Sequence, residues 1–128
     1  MNQREPEDEP IALLGGTFDP VHYGHLRVAE EARQKLELDR LYLLPSGQPP
    51  HRRTPGADTR QRLQMLKLAL AEFPELALDD RETRRPGPSY MIDTLADIRR
   101  DSAARPLMLL IGQDAANQLH TWYEWRQL

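Results

Sequence analysis

The sequence predicts an α/β fold: a doubly wound parallel sheet with helices on both faces. Three observations carry this. The apolar runs "IALLGG" (11–16), "RLYLLP" (40–45) and "PLMLLIG" (106–112) are too short for helices and stop at glycine or proline, as buried strands do. Between them lie stretches whose apolar residues recur at helical spacing. The resulting order, β-α-β-α-β-α-β-α, suits parallel strands, which need a crossover between neighbours.

The elements follow in turn. Residues 1–10 read as a disordered acidic tail, and residues 11–128 as one domain. Within the tail, Arg4 against Glu5, Glu7, Asp8 and Glu9 leaves −3, the whole net charge of the chain. "IALLGG" reads as a fully buried strand. Leu26, Val28, Ala29, Ala32, Arg33 and Leu36 then trace a helix over about 23–36, with Glu30 and Glu31 exposed. "RLYLLP" is the second strand, and "SGQPPHRRTPGAD" (46–58) a loop. Asp58 or Thr59 caps a helix running to about Glu72, with Leu63, Leu66, Leu68, Ala69 and Leu70 on its apolar side. "ELALDD" (75–80) is a short strand and "RETRRPGPS" (81–89) a loop, whose Ser89 would cap a helix over "YMIDTLADIRR". "PLMLLIG" is a strongly buried strand, "QDAANQL" (113–119) is helical, and "TWYEWRQL" ends the chain.

Composition narrows the function classes. The chain has no cysteine, so disulfide frameworks and thiolate metal sites are excluded. Its apolar runs fall short of the ~18 residues a membrane helix needs. The N-terminus lacks the apolar stretch of a secretory signal, and the expectation is a cytoplasmic protein without membrane partners. His51, Arg52, Arg53, Arg60 and Arg62 make a local basic patch on a body that is otherwise neutral. Such a patch suits a small anionic ligand better than a nucleic acid polymer, or else is a solvated arginine-rich loop.

Open parallel sheets bind ligands beyond the carboxyl ends of their strands. Three segments fall there: "GGTFDPVHYGH" (15–25), "PSGQPPHRR" (45–53) and "GQDAANQLHTWY" (112–123). In the first, Gly15 and Gly16 let a ligand approach the backbone, and their amides with the Thr17 hydroxyl can donate to phosphate. The helix that follows adds its own unpaired N–H groups. His22 and His25, three apart, can face one side and donate to a transferring phosphoryl group. Gly24 between them leaves room for a flat ligand. Zinc ligation by the pair lacks an obvious third ligand, and a structural, helix-capping pair is the other alternative. Asp19 either caps the helix or fixes the turn before Pro20. Beyond Gly112, Asp114 is suited to accept from ribose hydroxyls. Arg53, Arg60 and Arg62 read as solvated, His120 as structural, and Asp93 and Asp97 as a solvated acidic pair without a catalytic role.

The run "GGTFDPVHYGH" resembles the signature of the nucleotidyltransferase superfamily with the H-x-G-H motif. The later "LLPSGQPPHR", "PSYMIDTL" and "LIGQDAANQLHTWYEW" resemble segments of the bacterial nicotinate-nucleotide adenylyltransferases, in the same order over residues 11–128. The resemblance implies a Rossmann-like sheet of the nucleotidyltransferase type. It implies transfer of AMP from ATP to nicotinate mononucleotide, with release of pyrophosphate and with Mg²⁺ arriving on ATP. His22 and His25 would be catalytic. Gly15, Gly16, Thr17, Gly24, Gly112 and Asp114 would join them around ATP. Thr17, His51, Arg52, Tyr90, Thr94, Trp122 and Tyr123 would hold the acceptor, His51 and Arg52 by its phosphate and Trp122 by stacking on its pyridine ring. Backbone amides around Trp122 and Tyr123 would meet the nicotinate carboxylate.

The chain departs from that family in length. It stops at Leu128 without the later I-S-S-T-x-[IV]-R element that binds the triphosphate, and so reads as truncated at its C-terminus. Two alternatives stand beside the main reading: a non-catalytic nucleotide-binding fragment, and a phosphopantetheine adenylyltransferase. The oligomeric state is open, a homo-oligomer included.

Overall fold

The computed structural model describes residues 9–47, 58–87, 89–102 and 104–128. It contains four strands, β1 (Ile11–Gly16), β2 (Leu41–Pro45), β3 (Leu76–Leu78) and β4 (Leu107–Leu110). The helices are α1 (Tyr23–Lys35), α2 (Thr59–Leu70), α3 (Arg81–Arg84), α4 (Met91–Asp101) and α5 (Gln113–Asn117), followed by 3₁₀ turns at Leu119–Thr121 and Trp125–Gln127. All strand pairs are parallel, in the order β3-β2-β1-β4. The chain thus fills one side of β1 and then crosses to the other, which places a switch point between β1 and β4.

Alternation along the strands feeds both faces. Ala12, Leu41 and Leu43 pack with Leu26 and Ala29 of α1 and Leu66 of α2. Ile11 and Leu13 point the other way, against Ile98 of α4. Each such leucine, fully buried, contributes roughly 1.5–3 kcal/mol. The doubly wound expectation therefore holds, with α1 and α2 on one face and α4 on the other.

Register creates a gap at the carboxyl end. β1 pairs with β2 as far as Gly16 opposite Pro45, but with β4 only as far as Leu14 opposite Leu110. Gly15 and Gly16 therefore run past the last β4 pair, and Ile111 and Gly112 leave the ladder there. A cavity of about 600 Å³ opens at that step, lined by Gly15, Gly16, Ile111 and Gly112 among others.

Several expectations are corrected. The tail does not extend to residue 10: Glu9 is buried, its carboxylate accepts from the Asp39 N–H at 2.9 Å, and its carbonyl accepts from Arg105 Nε. β1 is buried only over Ile11–Leu13: Leu14 packs half-buried against the core, and Gly15 and Gly16 border the cavity. β4 is half-buried throughout, since it pairs with β1 along one edge only. Val28 and Leu68 are 55% and 76% exposed. Each lies two residues from a buried leucine, which puts it on the far side of its helix. One helical turn, α3, interrupts the loop read at 81–89. Ser89 does not cap α4, because the cap position falls one residue later, at Tyr90. Its Oγ is buried without a hydrogen-bond partner among the described residues. At α2 the choice resolves to Asp58, which exchanges side-chain and backbone bonds with Gln61. Among the described residues, no helix is long and apolar enough to cross a membrane.

Beyond β2 the chain passes so close to α3 that a Cβ on Gly47 would overlap the Glu82 carbonyl oxygen. Gly47→Ala must displace one backbone or the other. It is expected to lower stability by about 1–3 kcal/mol, read as a lower urea midpoint with an unchanged m-value. An unshifted midpoint would show that this approach does not constrain the fold.

Candidate active site

The turn after β1 carries the first half of the site. Thr17 leads to Phe18, whose φ of 49° lies in the left-handed region. Such a conformation costs a non-glycine residue on the order of 1–3 kcal/mol. It is held because the Phe18 ring is buried in the core on the α1 side. A Cβ on Gly16 would lie 3.2 Å from that ring, so glycine here lets the aromatic close over the backbone. The ring also meets His25 edge-on, with centroids 5.0 Å apart.

His22 and His25 form a reciprocal cap at the start of α1. His22 Nδ1 accepts from the Gly24 N–H at 3.1 Å, and His25 Nδ1 accepts from the His22 N–H at 3.1 Å. An imidazole nitrogen that accepts carries no proton, so each ring is the neutral Nε2–H tautomer. The rings stack with centroids 3.8 Å apart. Burial, and then the neighbouring His22, hold His25 below the ordinary histidine range. The capping and functional readings of the pair are thus compatible: capping occupies Nδ1 and leaves Nε2–H as a donor. Gly24 plays a different part from the one its position suggests. A Cβ there would lie 2.8 Å from the His22 ring, so the space above Gly24 belongs to His22 and not to a flat ligand.

The cavity is the second half. Of the residues singled out in the sequence, Gly15, Gly16, Thr17, Tyr90, Gly112, Trp122 and Tyr123 line it. The histidines do not; they stand at the start of α1, connected to the cavity wall through Phe18. Tyr90, ahead of α4, meets Tyr123 edge-on at 4.7 Å, which ties the last turns of the chain to the far helix. The Trp122 N–H bonds the Leu119 carbonyl, so that amide is committed within its own turn. His51, Arg52 and the Asp114 side chain lie outside the described residues.

Thr94 is a correction. It is fully buried on the inner side of α4 and does not line the cavity. Its hydroxyl donates to Glu82 Oε2 at 2.6 Å and accepts from Arg85 Nη1, while Arg85 Nη2 reaches Asp97 at 2.5 Å. Glu82, absent from the sequence reading, is the member of this chain that lines the cavity. Burial pushes its carboxyl above the ordinary range, against the Thr94 bond and the Arg85 charge, which pull it down. Asp97, read as part of a solvated pair, is instead an anchor for Arg85 and Arg100.

Arg62 is a further correction. It is 2% exposed, not solvated. Nη1 donates to the Thr17 carbonyl at 2.7 Å, and Nη2 to the Gly47 carbonyl and to Thr59 Oγ1. Its signal was present in the sequence, because Arg62 shares the 3.6-residue stripe of Leu66 and Ala69. Glu82 left no such signal, standing in the run "DDRETRR" of seven residues, six of them charged.

The cytidylyltransferase-like family model matches residues 13–128. A protein of Methylococcus capsulatus named a probable nicotinate-nucleotide adenylyltransferase is 55% identical over 119 residues, 92% of this chain and 57% of its own length. One of Serratia proteamaculans with the same name is 52% identical over 118 residues, 91% of this chain and 54% of its own. The chain thus spans little more than half the length of these curated relatives. A solved Plasmodium falciparum nicotinic acid mononucleotide adenylyltransferase, complexed with NaAD, superposes with a TM-score of 0.82 at 16% identity. That likeness covers 93% of this chain and 59% of the other, and establishes the Rossmann-like fold.

The raised Glu82 carboxyl has a measurable consequence. Its folded-state value lies above the unfolded value near 4.5, so its contribution is fully present below that pH and is lost as pH rises through the folded value. Glu82→Gln, which cannot ionise, is expected to gain on the unsubstituted chain across that rise. Urea unfolding from pH 4 to 8 would read it. A difference between the two proteins that is constant with pH would overturn this account of Glu82.

Proposed function

The chain belongs to the cytidylyltransferase-like family, and on that premise we propose that it carries the nucleotide-binding core of an adenylyl transfer from ATP to nicotinate mononucleotide. The products would be nicotinate adenine dinucleotide and pyrophosphate. The observation that carries this is the histidine cap. Two neutral imidazoles, each locked through Nδ1 and keeping Nε2–H, stand beside a glycine-ended strand at a sheet switch point.

A phosphate oxygen of the acceptor attacks the α-phosphorus of ATP. The bond from that phosphorus to the α,β-bridging oxygen breaks, and pyrophosphate leaves with the electron pair. No covalent enzyme intermediate and no general base are required, because the attacking oxygen is already an anion. What the protein must supply is alignment and charge stabilisation. Nε2–H of His22 and His25 would donate to the α- and β-phosphate oxygens, with the backbone at Gly16 and Thr17 beside them. The neutral tautomer matters here. Adding a proton at Nδ1 would break the cap that orients the ring.

The cavity would take the acceptor's base. Trp122 offers a face for the pyridine ring, within the wall that Tyr90 and Tyr123 complete. With the Trp122 amide committed to Leu119, the Tyr123 amide is the donor proposed for the nicotinate carboxylate. A nicotinamide NH₂ there would face a donor with another donor. His51 and Arg52 remain proposed for the acceptor phosphate, and Asp114 for the adenosine ribose. Among the described residues, no group of three or more His, Asp or Glu side chains could hold a metal ion. Mg²⁺ is proposed to enter hydrated on the triphosphate, whose charge it would neutralise. The proposed setting is the cytoplasm, consistent with a chain free of cysteine.

The test is pyrophosphate release from ATP and Mg²⁺, with nicotinate mononucleotide, nicotinamide mononucleotide and phosphopantetheine as acceptors in turn. This chain and a version extended to the length of its relatives would be assayed side by side. Release is expected with the nicotinate acceptor, and His22→Ala is expected to lower kcat by about 10²–10³-fold, the usual loss for one donor to a developing charge. No release at either length with any acceptor would leave a nucleotide-binding module and sink the enzyme reading.

A further inference from the structure

We propose that Arg62 is a positioning residue that holds the ATP-side turn after β1 and the acceptor-side loop after β2 in one fixed relation; the proposal rests on the adenylyl-transfer reading. The two segments are far apart in sequence and meet only beyond the sheet. The ladder's last link is the Ser46 N–H to the Gly16 carbonyl, at 2.9 Å. Past it, the Arg62 guanidinium carries the connection outward. Nη1 takes the Thr17 carbonyl at 2.7 Å, and Nη2 takes the Gly47 carbonyl at 3.1 Å and Thr59 Oγ1 at 3.2 Å.

The chemistry suits placement better than stability. A guanidinium is a rigid planar fork, so two carbonyls bound to its two ends are set at a defined separation. An ammonium on a flexible stem would not set one. The arrangement is also a costly way to fill a core. Arg62 is 2% exposed, its charge is satisfied by neutral acceptors, and its Nε is buried without a partner among the described residues. Burial pushes the guanidinium down, while the charges of Asp19 and Asp58 hold it up. On the stripe it shares with Leu66, an apolar side chain would avoid that desolvation.

The link also orients a donor. In a trans peptide the carbonyl and the following N–H point in opposite directions. Fixing the Thr17 carbonyl on Arg62 therefore turns the Phe18 N–H away from α2. Gly47 is held from two sides, by Arg62 at its carbonyl and by the α3 backbone at its Cα. The stretch of sequence that leads on to His51 and Arg52 thus leaves Gly47 from a point fixed relative to the ATP-side turn. An in-line displacement depends on that relation, and a displacement of about 1 Å can cost 10²-fold in rate.

The test uses the unsubstituted protein, Arg62→Met, which retains volume on the apolar stripe, and Arg62→Lys, all at relatives' length and well below their melting temperatures. Arg62→Met is expected to lower kcat by about 30–100-fold, the scale of an ångström-sized misplacement, with each KM changed less than about threefold. Arg62→Lys should recover only part of the loss, because it offers a point charge where a fork is needed. Amide hydrogen exchange gives a readout that does not need turnover. In Arg62→Met, exchange should quicken together at 16–18 and 46–47, with the middle of β1 unchanged. A kcat within about twofold of the unsubstituted enzyme, alongside a lower melting temperature, would make Arg62 a stabilising residue only and overturn the proposal. If the unsubstituted protein releases no pyrophosphate, the adenylyl-transfer reading fails. Exchange then decides alone: unaltered protection at either segment overturns the link.

Discussion

A step in strand pairing sets the geometry on which the rest depends. β1 continues two residues beyond its last pair with β4 while still bonded to β2. Those two residues are Gly15 and Gly16, whose β4-side edge thereby faces the cavity. Had β4 stayed in register for another pair, Ile111 would have filled the space. The same step sends Gly112 and the α5 segment outward, and brings Trp122 and Tyr123 round to form the opposite wall. Cavity, glycine turn and aromatic wall are three results of one register.

Within that frame, the site is built from groups that serve structure first. The histidine pair caps a helix with its Nδ1 atoms. Phe18 seals the core with its ring, and Arg62 closes the gap between two strand ends. Each leaves a second set of atoms, or an imposed orientation, for chemistry. This economy has an electrostatic side. A phosphate site built from protonated imidazoles would bind more strongly to the charged ground state, but it would vary with pH near neutrality. Nε2–H donors attached to a helix start add directional bonding instead, and burial around His25 favours its neutral form.

Much of this was legible in the sequence, for identifiable reasons. The short, unbroken apolar run "IALL" and its glycine stop located β1, and the spacing of Leu66 and Ala69 located α2. The glycines, the His-x-Gly-His spacing and the aromatic tail marked the two halves of the site. What escaped depended on tertiary packing. Nothing in "RETRR" distinguishes a glutamate that will sit under α4 from one in water, because its partner there, Thr94, arrives from a helix twelve residues on. Ser89 had the chemistry of a cap but stood one residue too early. Thr94 stood in the segment expected on the acceptor side but is buried away from the cavity, on the face of α4 that Ile98 also turns inward. Arg62 was the one miss that periodicity alone contained.

Phe18 makes the site answer to the state of the core. One side chain belongs at once to the core on the α1 side, to the close approach at Gly16 and to the His25 ring. Its backbone is in the left-handed conformation, and that packing helps to hold it there. Mechanically, the core acts as a clamp and the turn as a loaded spring. The packing around Leu26 and Ala29 and the backing of the His25 ring thus meet in one side chain, and a disturbance of that part of the core reaches the start of α1 through Phe18.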